Sequence, residues 1–165
     1  MPEPARRVIS NATPLINLSL IKQLGLLNQL YGEVLMPPAV RAELLAGGPG
    51  RAGVTDVPRA AWIRVRSLRD PRRAELLLTD LDRGEAEVIA LAQELSADLV
   101  IIDERLARRH AKRLGLNLTG TLGVLLKAKR QGLLPAIKPL IDQLRHGGIW
   151  LSDALVAEAL KLAEE

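Results

Sequence analysis

The chain has 165 residues, of which 48% are hydrophobic, so it is long enough to form one domain with a sizeable core. It contains no cysteine, which excludes disulfides, thiolate metal sites and cysteine nucleophiles, and is compatible with a reducing compartment. The net charge of +4 permits a polyanionic partner, but aromatic residues make up only 2% of the chain, so binding of nucleic acid would depend on charge and backbone groups rather than on base stacking.

The N-terminal sequence MPEPARRV has no apolar stretch behind its charges, so we expect no signal peptide. No apolar run approaches the roughly 18 residues of a membrane span. We therefore expect a cytoplasmic protein.

Strand and helix patterns alternate along the chain. Short β-branched runs end in turn residues and are followed by apolar residues at helical spacing. Such alternation predicts an α/β domain with a mainly parallel sheet. We predict strands over 6–10, 33–36, 61–68, 98–103 and 116–119. We predict helices from 13 to 30 with a break at Gly25, over 37–46, 82–97, 104–115 and 120–132, and two more within 134–164.

Local signals refine these elements. Thr13 and Pro14 fit the N-cap and the first position of their helix. The segment 61–68 alternates polar and apolar residues, as a half-exposed edge strand does. The segment 47–59 is rich in glycine and is predicted to be a loop and the most mobile region. We expect a single domain over residues 1–165, with the C-terminal helices packing on it or extending it.

Two glutamates lie on apolar helix faces. Glu85 lies three and four residues before Val88 and Ile89, so it extends the buried stripe of its helix with a charge. Glu43 lies beside Leu44 on the apolar side of its own short helix. A buried carboxylate is costly unless it is paired or binds a metal. The alternative for Glu85 is a first-turn acid that interacts favourably with the helix dipole.

Asp103 follows the apolar run LVII, and Asn11 follows the first strand. Ligands of open α/β sheets bind at the carboxyl ends of the strands, where the strand order reverses. The alternatives are a helix cap for Asp103 and a cap or turn for Asn11. Together with Glu43 and Glu85, these side chains supply oxygens from four segments that could meet in one pocket. Oxygen ligands suit Mg²⁺ or Mn²⁺, which can activate water and stabilise a displacement at phosphate.

A row of basic side chains follows Asp103. Its members lie at positions i, i+3, i+4, i+7 and i+8 of one helix, namely Arg105, Arg108, Arg109, Lys112 and Arg113. Solvated helix faces usually mix charges of both signs, and this face has no acid after Glu104. The stripe could therefore bind a nucleic-acid phosphate backbone, and the alternative is an ordinary solvated face.

These segments together resemble the PIN-domain family, and most closely its DUF3368-type branch of small prokaryotic proteins, which is related to the toxin nucleases of toxin–antitoxin modules. The matching stretches are VISNATPLINLSLIKQLGLL, LYGEVLMPPAVRAEL, DRGEAEVIALAQELSADLVIIDERLARR, LGLNLTGTLGVLLKAKRQGLL and GGIWLSDALV. The resemblance implies a Rossmann-like three-layer α/β/α sandwich. It also implies a Mg²⁺- or Mn²⁺-dependent endoribonuclease, with RNA, a small antitoxin protein and a second copy of the chain as expected partners.

The resemblance also implies roles for individual residues. Thr13 matches the family's small hydroxyl residue near the first acid, and the threonines of TGT, Thr119 and Thr121, could line the same pocket or cap a helix. The family's catalytic, metal-binding acids fall in chain order on Asn11, Glu43, Glu85 and Asp103.

Asn11 departs from the family pattern. An amide oxygen can coordinate a metal, but it adds no negative charge and cannot act as a base, and ligand charge helps to set the affinity for a hard cation. The alternative function is therefore a catalytically weak or inactive module that binds nucleic acid or acts in regulation.

Overall fold

The computed structural model describes residues 6–165. Residues 1–5 belong to the N-terminal stretch in which we expect no signal peptide, and they lie outside the described residues. The five strands are β1 (Val8–Ser10), β2 (Val34–Met36), β3 (Ile63–Val65), β4 (Leu99–Ile101) and β5 (Leu118–Thr119). They form an all-parallel sheet in the order β3-β2-β1-β4-β5. The strand order therefore reverses at β1, which pairs with β2 on one side and with β4 on the other. The crevice at the carboxyl ends of β1 and β4 is the position where such sheets bind ligands.

Helices cover the sheet and complete the predicted three-layer α/β/α fold. In chain order they are α1 (Ala12–Leu20), α2 (Gly25–Tyr31), α3 (Pro38–Ala46), α4 (Asp56–Arg59), α5 (Arg72–Glu75), α6 (Arg83–Leu95), α7 (Arg105–Arg113), α8 (Thr121–Arg130), α9 (Lys138–His146) and α10 (Asp153–Leu162). A break separates α1 from α2 as predicted, but it spans residues 21–24, and Gly25 begins α2. Within the described range, no helix has the length and apolar character needed to cross a bilayer.

Helix α6 lies at the centre of the packing. It contacts β1 and β4 of the sheet and the helices α3, α5 and α7. Val88 and Ile89 are fully buried as predicted, but so are Ala90 and Leu91, which the helical pattern places on a flank. The helix is therefore enclosed on most sides, because its alanines allow neighbouring helices to approach closely. Glu85, near the start of this helix, is buried with it.

Two local predictions are wrong. Helix α1 begins at Ala12 with Asn11 in the N-cap position, so Thr13 is not the N-cap. Residues 56–59 are not loop but form α4, and the short α5 is also absent from the predicted elements. The hydroxyl of Ser19 in α1 accepts a hydrogen bond of 2.9 Å from the Gly53 amide and donates one to Asp56. These bonds tie the glycine-rich segment to α1, an anchor that no local pattern signals.

The edges of the fold follow the predicted pattern in part. Strand β3 lies at the edge of the sheet, as predicted, but only Ile63 is buried and Val65 is 40% exposed. At the other end, the Glu165 carboxylate accepts hydrogen bonds from the amides of Ile137 and Lys138, at 2.8 and 3.0 Å. Glu165 thus ties the segment after α10 to the start of α9. The single domain over residues 1–165 stays a prediction.

Candidate active site at the switch point of the sheet

Asn11 lies where β1 and β4 end side by side. Its amide donates a hydrogen bond of 3.0 Å to the Ile101 carbonyl of β4. The side chain is only 4% exposed, and although Asn11 occupies the N-cap position of α1, it makes no capping hydrogen bond. Its Oδ1 atom is buried and has no hydrogen-bond partner within residues 6–165. Because Asn11 makes no capping hydrogen bond, capping does not explain this side chain. An unsatisfied buried acceptor costs about 1–3 kcal/mol.

Oxygens from three segments surround Gly84 at the start of α6. A Cβ atom built on Gly84 would lie 2.9 Å from Glu43 Oε2, 3.5 Å from Asp82 Oδ1 and 3.6 Å from Asn11 Oδ1. The absence of a side chain at Gly84 therefore lets these oxygens approach one another. The structure thus brings together Asn11 and Glu43, which the sequence places 32 positions apart, and adds Asp82 to them.

Glu43 is carried by α3, which packs against α6. The Glu87 carboxylate of α6 accepts a hydrogen bond of 3.2 Å from the Ala39 amide in the first turn of α3 and so helps to dock this helix. The Glu43 side chain is largely exposed, and its pKa is raised, first by partial burial of the carboxylate and then by the charge of Asp82. Glu43 therefore reaches the site from its solvent side.

Glu85 is 7% exposed, and its two carboxylate oxygens have different surroundings. Its Oε1 accepts a 3.3 Å bond from the Asp82 amide while Asp82 Oδ1 accepts a 2.8 Å bond from the Glu85 amide, which forms a capping box. Its Oε2 is buried without a partner in the described part of the chain. Burial, followed by the hydrogen bond with Asp82 and the charge of Glu104, raises the pKa of Glu85 to about 8. Glu85 therefore holds a proton at neutral pH when no cation is bound.

Asp103 follows β4 and is half-buried. Its Oδ1 accepts a 2.7 Å bond from the Thr121 amide at the start of α8. Its Oδ2 accepts bonds from the Thr121 hydroxyl at 2.5 Å and from Asn17 Nδ2 at 3.3 Å. The carboxylate thus joins the end of β4 to both α1 and α8.

The predicted alternative role of Asp103, the N-cap of α7, belongs to Glu104. The Glu104 carboxylate accepts bonds from the amides of Leu106 and Ala107, at 3.0 and 2.6 Å. Burial acts to raise the pKa of Glu104, but the bonds from Ala107 and Leu106 outweigh it and hold this pKa below its ordinary value. Asp103 therefore does not cap α7, and its carboxylate is bonded to Thr121 and Asn17 instead.

The three predicted threonines have different surroundings. Thr121 is buried and contacts Asp103, as described above. The Thr119 hydroxyl instead packs against Gly123 of α8, and neither Thr119 nor the exposed Thr13 makes a side-chain hydrogen bond in the described part of the chain. Gly120 occupies the N-cap position of α8, so neither threonine of TGT caps a helix.

Four of the five predicted basic residues line one open groove between α7 and β5. The groove has a volume of about 520 Å³, and Leu116, Asn117 and Leu118 complete its lining. We call it the basic groove; its basic members are Arg105, Arg108, Arg109 and Lys112. Arg113 does not line it. None of these five side chains forms an ion pair with an acid in residues 6–165.

The basic groove adjoins the acidic site at Gly120. A Cβ atom on Gly120 would lie 2.5 Å from Asp103 Oδ1 and 3.2 Å from Arg108 Nη1. Arg108 also donates a 2.7 Å bond from Nη1 to the Ile102 carbonyl, so its guanidinium is held in place and half-buried. Arg108 is therefore partly a structural residue, whereas Arg109 and Lys112 are exposed.

The donor atoms at this site are of the type that a hard divalent cation prefers. All candidate donor atoms are oxygens, and the buried oxygens of Asn11 and Glu85 lack hydrogen-bond partners in the described chain. However, no three acidic, histidine or cysteine side chains within residues 6–165 are arranged to hold an ion. Asn11 contributes an oxygen but no negative charge to this set of donors.

Sequence reasoning missed Asn17, Asp82 and Glu104 as parts of this site. The signal for Asn17 was its position as the one amide side chain in the largely apolar stretch PLINLSL, most of which is buried. The signal for Asp82 was its place three residues before Glu85, which is the spacing of a capping box.

Comparison with known proteins gives one family and one fold. The family model described as "DUF3368: PIN domain" matches residues 7–165. A solved structure of a PilT N-terminus domain protein from the hyperthermophilic archaeon Sulfolobus solfataricus is similar, with 22% identity and a TM-score of 0.55 over 73% of this chain and 92% of that chain. This likeness supports the fold. No curated protein matches the chain.

Proposed function

Because the chain belongs to the DUF3368 family of PIN domains, a class that generally includes divalent-metal-dependent nucleases, we propose that it is a metal-dependent endoribonuclease with a toxin-like role. The observation that carries the proposal is the meeting of Asn11, Glu43 and Asp82 around Gly84, with two buried oxygens that lack partners. A small antitoxin protein and a second copy of the chain are proposed partners on family grounds alone.

The residues divide the work of RNA hydrolysis between them. Glu43, Glu85 and Asp103 would hold Mg²⁺ or Mn²⁺, with Asn11 as a neutral ligand. Because the described residues do not place three acidic side chains together, these carboxylates would have to move towards the ion. The ion would polarise the phosphate and supply an activated water. The Asp103 carboxylate accepts hydrogen bonds from Thr121 and Asn17.

The basic groove supplies the second part of the proposed function. Arg109 and Lys112 are exposed and lie in the groove that adjoins Asp103 at Gly120, so they suit the phosphates on one side of the bond to be cleaved. The groove has no aromatic lining residue, so its contacts with RNA would be to phosphate and largely independent of base sequence.

Asp103→Asn is expected to reduce Mn²⁺-dependent RNA cleavage by at least about 100-fold. Loss of an outer-shell partner of a metal ligand already costs about 10–100-fold, and this variant removes the charge of a ligand itself. The measurement is the initial rate of cleavage of a labelled single-stranded RNA, with Mn²⁺ and with EDTA. Asp142→Asn, an exposed acid of α9, is the matched control. Cleavage that persists in EDTA, or that survives in Asp103→Asn, would contradict the proposal.

Replacing Arg109 and Lys112 together with glutamine should weaken binding of single-stranded RNA and flatten its salt dependence. Each cation that neutralises a phosphate of a single strand adds about 0.7 to the slope of log K against log salt, so removing two should lower the slope by about 1.4. Fluorescence anisotropy in EDTA measures binding without cleavage. The control variant carries Arg130→Gln and Lys161→Gln, two exposed cations outside the groove. Equal slopes for the two double variants would argue against RNA binding in the groove.

A second function is favoured by the neutral ligand at Asn11 together with the lack, within the described residues, of three acidic or histidine side chains placed to hold an ion. In this alternative the protein keeps the fold and the basic groove, binds RNA and cleaves it weakly or not at all. It predicts normal RNA binding in EDTA and no Mn²⁺ binding by the wild-type chain. Because both functions include RNA binding, the cleavage measurement above and a titration of the wild-type chain with Mn²⁺ separate them.

A further inference from the structure

We propose that Asn17 is a positioning residue, which fixes the orientation of the Asp103 carboxylate both directly and through the hydroxyl of Thr121. The inference rests on the proposed function in one respect, that Asp103 is a metal ligand. Asn17 lies in α1, is 4% exposed, and is held between the end of β4 and the start of α8. Its side chain is thus a polar group enclosed on a helix face that is otherwise apolar.

The three side chains form a closed triangle of hydrogen bonds. Asn17 Nδ2 lies 3.3 Å from Asp103 Oδ2 and 3.3 Å from Thr121 Oγ1, and Thr121 Oγ1 lies 2.5 Å from Asp103 Oδ2. The carboxylate can only accept, so the Asn17 amide must turn its NH₂ group towards it; a flipped amide would place two acceptor oxygens against each other. Both N–H groups of Asn17 are then used.

The direction of the Thr121 hydroxyl follows from this arrangement. Thr121 Oγ1 accepts a hydrogen bond from Asn17, so its own proton is available to donate to Asp103 Oδ2. Asn17 therefore acts on Asp103 twice, once as a donor and once by orienting a second donor. The Thr121 amide, at 2.7 Å from Oδ1, holds the other end of the carboxylate.

This network decides which oxygen of Asp103 can bind a cation. An ionised carboxylate offers about four acceptor positions, and three of these are occupied, two on Oδ2 and one on Oδ1. The remaining position is on Oδ1. If Asp103 holds the ion of the proposed function, it would therefore do so through Oδ1, because Oδ2 is occupied by Asn17 and Thr121.

The cost of the arrangement argues that it is not there for stability. Asn17 Oδ1 is buried and has no hydrogen-bond partner in the described chain. An apolar side chain of similar size would remove this unsatisfied acceptor, while giving up two hydrogen bonds that each contribute modestly to stability. An asparagine at this position is thus explained by orientation of the carboxylate rather than by packing.

A metal-free experiment tests the positioning role independently of the proposed function. The NMR signal of the Thr121 amide proton reports its bond to Asp103 Oδ1. In EDTA, Asn17→Leu should shift this signal upfield and speed its exchange with solvent, and adding Asn17→Leu to Asp103→Asn should produce no further change. An unchanged Thr121 amide in Asn17→Leu would overturn the inference. A change of equal size in the Asp103→Asn background would also overturn it, because it would reveal a general structural role.

Titration with Mn²⁺ supplies the second measurement. Asn17→Leu and Thr121→Val should each weaken Mn²⁺ binding by about 10–100-fold, as expected for outer-shell partners of a ligand, whereas Thr121→Ser, which keeps the hydroxyl, should bind nearly as the wild type does. Thr121→Val serves if Asn17→Leu fails to fold, because it breaks the same network at another side chain. Wild-type affinity in both variants would overturn the inference. A wild type that binds no Mn²⁺ contradicts the proposed function alone, and the NMR measurement then decides.

Discussion

Asn11→Asp is expected to raise the affinity for Mn²⁺ at least about tenfold, which corresponds to about 1.4 kcal/mol. The Asn11 Oδ1 atom is buried without a partner in the described chain. It lies 3.6 Å from the position that a Cβ atom on Gly84 would take, and oxygens of Glu43 and Asp82 also lie near that position. Aspartate has nearly the same shape as asparagine and would add a negative charge, and ligand charge helps to set the affinity for a hard cation. Mn²⁺-dependent cleavage of RNA should rise as well.

The same substitution should destabilise the metal-free protein. A new carboxylate at position 11 would be buried near Glu43 and Asp82 with no cation to balance it, at a cost of roughly 1–3 kcal/mol or more. The melting temperature in EDTA should therefore fall, while the rise produced by Mn²⁺ should become larger, because a ligand that binds only the folded state stabilises it. Opposite changes in the two conditions would identify Asn11 as part of the cation site.

The control for Asn11→Asp is Asn28→Asp, which makes the same change on the exposed side of α2. It should alter neither Mn²⁺ affinity nor the effect of Mn²⁺ on melting. Equal Mn²⁺ affinities of Asn11→Asp and the wild type would show that position 11 does not contact the ion. Binding by the variant together with none by the wild type would favour the inactive RNA-binding module over the nuclease.

The placement of Asn11 and Asp103 at one edge of the sheet could be expected from sequence because it follows from topology. Asn11 and Asp103 each follow a short apolar strand, and in a parallel sheet the carboxyl ends of neighbouring strands meet at one edge. Glu85 was visible as a charge on the apolar face of a helix, whereas Glu43, which its spacing placed on such a face, is largely exposed. These signals depend only on spacing along one element, and the pairing of β1 with β4 then brings Asn11 beside the end of β4.

The partners of Asp103 could not be expected in the same way. Asn17 contacts it across 86 positions of the chain, and Asn17 contacts Thr121 across 104. These contacts depend on how α1 crosses the start of α8, which no local pattern specifies. The two threonines of TGT show the same difficulty, since spacing does not reveal that Thr119 faces Gly123 while Thr121 faces Asp103. Capping was equally ambiguous, because Asp103 and Glu104 both precede α7 and only Glu104 bonds its amides.

Glu85→Gln is expected to remove a pH dependence from the stability of the metal-free protein. The folded-state pKa of Glu85 is about 8, above its ordinary value of 4.5, with burial as the main cause. Between these two values the folded chain holds a proton that the unfolded chain releases. The wild type should therefore lose stability as pH rises from about 4.5 through about 8. The lowered pKa of Glu104 acts in the opposite direction, but at pH values around and below its ordinary 4.5, outside this window.

Glutamine imitates the protonated form of Glu85 and cannot ionise, so the two proteins should have similar stability near pH 4.5 and should diverge above it. At pH 8 or higher, Glu85→Gln should be more stable in EDTA by on the order of 3 kcal/mol, since one pKa unit corresponds to 1.36 kcal/mol and the proton is shared with neighbouring acids. Urea denaturation from pH 5 to 9 measures the difference, with the exposed Glu158→Gln of α10 as the control. With Mn²⁺ present the order should reverse, because the variant lacks a charged ligand. Parallel stability profiles of Glu85→Gln and the wild type in EDTA would show that the Glu85 carboxyl ionises freely in the folded chain.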